Sequence, residues 1–193
     1  STFDSTNGGA EPGGGVIGVG AIGSSGNALT LDGGDGGAIT VASLAGDGAL
    51  TIANSGATTF TGPVDASTVT LTDTQGVVAF EGDTTISDSL VTTTNGYGLS
   101  FTGTTNAVRA ASPTVLQNTG ALVLGDGAMD SISFDGGLDA QGAAGTDSPS
   151  STSLGGAIAT DGRDLTLNAV VLEASTGLDT GADGGAIAIG AVD

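Results

Sequence analysis

The chain has 193 residues, 37 of them Gly, and carries 21 acidic side chains against two basic ones, Arg109 and Arg163, for a net charge of −19. That balance excludes nucleic acid as a partner, because binding it needs basic side chains to displace phosphate counterions, and it disfavours anionic membrane surfaces. With no Cys and no His there is no disulfide, thiolate or imidazole chemistry to seek, while 38% hydrophobic residues argue against a disordered acidic tail.

In chain order, residues 1–15 form a Gly-rich opening segment or loop. "GVIGVGAIGSSG" then offers Gly18, Gly20 and Gly23 in a GxGxxG pattern, but Ala21 to Gly26 is no helix former, so the phosphate-loop reading fails. From 27 to 125 a regular register follows. Alternating runs begin at Leu29, Leu50, Val69 and Leu90, spaced 21, 19 and 21. A bulky residue before an x-Gly step recurs at Phe60, Phe80 and Phe101, spaced 20 and 21, with Leu124 next. Downstream positions Leu44, Val64, Ile86 and Val108 recur at 20, 22 and 22. Ile39 and Val41 are assigned to the alternating-run column in the first of these turns. Beyond 125, Ile132–Phe134 reads as one strand, 135–154 as a loop bulging from a coil, and 155–193 as the final coils. No apolar run reaches the ~18–20 residues that span a bilayer, so no membrane insertion is expected.

Three columns sharing one period of about 21 residues predict an all-β fold, a single parallel β-helix (β-solenoid) domain over 1–193 with three short strands per coil. Within each strand the period is 2, so Leu50 and Ile52, or Val69 and Leu71, face inward and Thr faces outward. Turns fall at Asn54-Ser55-Gly56, Thr74-Gln75-Gly76 and Asn95-Gly96, where Gly and Asn tolerate positive φ. At ~4.8 Å per coil, some nine coils make a rod on the order of 40 Å long.

"GGAI" at 36–39, 155–158 and 184–187, with "LTI", "TFTG" and "LSFTG", resembles the β-helical passengers of bacterial surface proteins: autotransporter and polymorphic outer-membrane protein passengers, filamentous-haemagglutinin-like adhesins and giant repetitive surface proteins. The resemblance is one of texture over 14–193. It implies a right-handed, extracellular or cell-surface β-helix with scaffolding or adhesive work and no catalytic residues. The tail "GGAIAIGAVD" shows no capping element, and joined to Ser1 it continues in the same style. The expected partner is therefore another copy, in a tandem array or a filament of separate subunits.

Chemistry is sparse. Without Lys, His or Cys, lyase and nucleophilic-triad mechanisms lack their groups, and the acids lie in Gly-flanked turns with no sign of a desolvated pair. No enzyme is expected. Calcium is the one cofactor the residues point to: Asp32, Asp35, Asp126, Asp130, Asp135, Asp139, Asp161 and Asp164 stand two to four apart in flexible turns, as a hard cation requires. The acids form no columns, since Glu81 aligns with Thr61 and Thr102, and Asp65 with Ser87 and Arg109. Glycans are the rival partner, contacted through outward Thr, Ser and Asn, the 139–154 loop and an exposed Tyr97 ring.

Overall fold

The computed structural model describes residues 1–142 and 147–192. It is all-β, without a helix among these residues, and its strands stack in parallel about 22 residues apart through about eight turns. Eighteen strands, from Thr2–Asp4 to Ile187–Val192, join in one continuous sheet wound around the core. The coils carry three rows. Row A holds Leu29–Asp32, Leu50–Ser55 and the C-terminal parts of Val64–Thr74 and Thr84–Val91. Row B holds Ala57–Phe60, Val77–Phe80, Gly98–Phe101 and Leu122–Leu124. Row C holds the start of Val64–Thr74, then Thr105–Val108 and Ser131–Phe134.

The row A column stands as the periodicity predicts, with Leu29, Leu50, Val69 and Leu90 directly paired in succession. In row B, Phe60, Phe80, Phe101 and Leu124 are likewise paired. Identical backbone geometry in successive coils gives the rings nearly the same orientation. Phe60 and Phe80 lie 5.1 Å apart at 3°, and Phe80 and Phe101 lie 4.9 Å apart at 7°. All three rings are buried.

The Gly two residues after each Phe has a steric cause. Gly62, Gly82 and Gly103 stack at the corner between rows B and C. A Cβ on Gly82 would lie 2.2 Å from the Gly62 carbonyl carbon, and one on Gly103 would lie 2.3 Å from the Gly82 oxygen. Successive coils touch through bare backbone here, so any side chain would force them apart.

Four expectations are corrected. Ile39 and Val41 belong to row B, where they pair with Thr58 and Phe60. In row C, Val64 follows Leu44 but then pairs with Thr84, while Ile86 sits on Ala66 and under Val108. Asp65 therefore aligns with Thr85, not Ser87. The shift escaped the pattern because Thr84 is buried, its hydroxyl donating to the Gly82 carbonyl at 3.1 Å. Thr is not reliably outward: Thr58, Thr74, Thr84, Thr114 and Thr152 all lie inside. Finally, the 135–154 stretch contains the strand Leu138–Asp139, paired with Thr114–Val115, and the start of Thr152–Thr160, so the excursion is confined to the residues between them. It lengthens one coil, which raises the mean period and leaves about eight turns rather than nine.

The opening segment also adds a strand, Thr2–Asp4, beneath Leu29–Asp32 in row A. Residues 191–192 lie in row B.

Candidate binding surfaces

The carboxylates proposed for calcium are spread along the rod, and among the described residues no group of three acidic side chains converges on one point. Three of the eight are held by their own turns and two by the neighbouring coil. Asp32 accepts from the Gly34 N–H at 3.1 Å, Asp35 from the Asn54 amide, and Asp164 from the Ala186 N–H at 2.8 Å. Asp139 takes the N–H groups of Gln141 and Gly142 at 3.0 and 3.2 Å and the Thr166 hydroxyl at 3.0 Å. Asp130 is buried and accepts from Asp126 N–H at 2.9 Å and Gly127 N–H at 2.8 Å, while the Asp126 side chain faces solvent. Asp135 is half-buried and Asp161 exposed. The structure therefore brings Asp126 and Asp130 into one loop, with Asp130 engaged by that loop's backbone. Asp32 with Asp35, and Asp161 with Asp164, likewise share a turn, but among the described residues no third acid joins any of these pairs.

Asp4, which sequence reasoning passed over, organises the opening segment. It accepts from the Thr6 hydroxyl and N–H, both at 2.6 Å, and from Gly8 N–H at 3.1 Å. These bonds, the Thr6 hydroxyl first, hold its carboxyl below the usual range of such groups. An acid followed two residues later by Thr in a Gly-rich run is the signal that could have found it.

The expected aromatic platform is absent at its proposed place. Tyr97 is fully buried, and its hydroxyl accepts from the Thr93 N–H at 3.2 Å. Burial pushes the phenol up from its ordinary value. The ring turns inward because its corner is roofed by the next coil, where buried Asn118 donates to the Tyr97 carbonyl at 3.2 Å. A lone Tyr in an Asn-Gly turn looks exposed only while the stacked coil is ignored.

Three surface features remain. In row A no ladder joins Leu90–Val91 to Thr114–Val115, where the 109–113 corner bulges; a groove of about 440 Å³ opens there, lined by Asp88, Ser89, Val91, Ser112, Val115 and Gln117. On the outer face of row B a largely apolar notch of about 330 Å³ surrounds Gly98. At the last rung, Leu172, Ile189 and Val192 are exposed around a smaller apolar hollow. No protein-family model, curated protein or solved structure matches the chain.

Proposed function

We propose that this chain is a non-enzymatic structural element of a cell surface or extracellular matrix, working as a rod, stalk or filament whose length is built by stacking coils. One observation carries this reading. Rows B and C run in unbroken parallel register from the first coil to the last and row A with a single gap, and the apolar columns reach the end rung as Ile187, Ile189 and Val192, all exposed. A strand edge and an apolar column left open are both extended by one more coil, from the same chain or from another copy. The absence of Lys, His and Cys supports work without catalysis. The −19 charge suits an outer surface bathed in divalent cations, with calcium screening the acidic turns.

Electron microscopy of negatively stained protein at millimolar calcium, repeated after chelation, tests the reading. Long filaments of uniform width are the expected result, and their loss on chelation assigns calcium a part in the assembly. Short separate rods at every concentration and in both conditions would refute self-stacking.

A further inference from the structure

Among the described residues the outer face of row B carries no charge in its two inner columns, and a carboxylate reaches it only from the rim, where Glu173 accepts from the Ser153 hydroxyl at 3.4 Å. Its central outward column runs Gly18, Thr40, Thr59, Ala79, Ser100, Val123, Ser153, Val171 through paired strands. The column one step earlier on each strand holds only Val, Ala, Gly and Ser. The nearest acids, Glu81 and Glu173, stand at the rim, next to the turn into row C.

This face is also shaped. Val77 projects from it, 47% exposed, and directly above it Gly98 has no side chain. A shallow hollow lies there between Val77, Ala121 and Val123, with Gly98 buried at its floor; a Cβ on Gly98 would stand 3.1 Å from the Ala121 carbonyl oxygen and 3.3 Å from the Val77 methyl group. Knob and hollow are neighbours in one column, one coil apart.

We infer that row B is the lateral docking face for a second copy of this chain, packed antiparallel about a two-fold axis that lies along the strands between the Phe80 and Phe101 rungs. Such an axis places residue i against j and j against i. Val77 of each copy then rests in the shallow hollow above Gly98 of the other. The same operation, carried along the rod, sets Val171 against Gly18 and Thr59 against Val123. Every rung of row B from Ile17 to Val170 gains a partner, because the axis falls midway along those eight rungs, and the Val192 rung overhangs at each end of the pair. Large residues meet Gly at both the centre and the end, and Glu81 faces Thr102 rather than another carboxylate. Two copies of charge −19 repel across their other faces, so an uncharged face is where they approach at least cost.

Eight rungs at ~4.8 Å by about four residues of strand give on the order of 450 Å² per copy. The total falls below the ~1,200 Å² of standard interfaces. The pair is therefore concentration-dependent, and it tightens with salt as like-charge repulsion is screened. It is independent of coil stacking, since it uses the side of the rod and not its ends.

Sedimentation equilibrium of the whole chain across concentration and salt, with small-angle scattering for shape, tests this. Expected is a monomer–dimer equilibrium that shifts to dimer at high salt, the dimer being as long as the monomer and twice as wide. Ala79→Glu and Ser100→Arg, each alone, are expected to lower dimer affinity at least tenfold with unchanged circular dichroism. Mixing the two variants is expected to restore it, because the axis brings the two introduced charges together. A monomer at all concentrations and salts, a dimer twice as long instead of twice as wide, or a mixture no tighter than either variant would overturn the proposal. The wild-type salt series and shape stand as a test even if a variant fails to fold.

Discussion

Phe80 shows how one position is specified twice, by burial and by stacking. It sits between Phe60 and Phe101 with no exposure, so Phe80→Asp forces an unpartnered charge into the core, at a cost of several kcal/mol. Thr102→Asp, on a half-exposed side chain, should shift the unfolding midpoint little. Equal midpoints for the two variants would refute the register. Gly82→Ala tests the backbone contact beside it, and about 1–3 kcal/mol of destabilisation is expected from overpacking against Gly62. Both residues were legible from spacing alone, because a bulky apolar residue and a Gly are each unusual enough to mark a column. Tyr97 was not legible. Its neutral form is favoured by burial, so its contribution to stability is complete below the unfolded value near 10.0 and is lost as pH rises through the raised one. A stability-versus-pH series should show a decline above pH ~10 in the wild type. Tyr97→Phe should remove the Tyr97 share of that decline, at about 1 kcal/mol for the lost acceptor.

At the scale of elements, the strands of rows A and B follow from period-2 alternation, and the row C shift does not. A pattern search follows apolar residues, whereas the fold accepts Thr84 and Asn106 inside, each with a bond to a nearby corner carbonyl: Thr84 to Gly82 and Asn106 to Gly103. Hydroxyl and amide groups that donate to a nearby carbonyl are invisible to hydropathy. The row A gap between Leu90–Val91 and Thr114–Val115 belongs to the same class. Two more residues separate Val108 from Thr114 than separate Ile86 from Leu90, which only the paired register makes plain. That gap should be the first place to open. Limited proteolysis is expected to cut within Ala110–Pro113, where Ala111, Ser112 and Pro113 are exposed, before any cut inside Val64–Thr74. The reverse order would mean that the missing ladder does not weaken the coil.

For the whole molecule, composition and period carried the fold class, because a solenoid is the same local decision made repeatedly. The candidate calcium residues show the limit of that logic. Acidic turns recur because Gly-rich corners favour Asp, and the structure engages Asp32, Asp130 and Asp139 with their local backbone and Asp164 with the backbone of the next coil. Asp130→Ala, which strands the Asp126 and Gly127 N–H groups, should lower the thermal midpoint whether or not calcium is present, with a cost of about 1–3 kcal/mol. A calcium-dependent cost would mark the loop as a true ion site.

The stacked arrangement has a consequence under tension. Each coil advances the rod by only ~4.8 Å, yet stores about 22 residues of chain. Pulled straight at ~3.4 Å per residue, that coil yields on the order of 75 Å. The ladder between neighbouring coils opens bond by bond when peeled from an end, so length would be released in small, repeated steps and recovered when the load drops. A rod of this kind would lengthen under load before it breaks, and the residues held in each coil would set the size of each step.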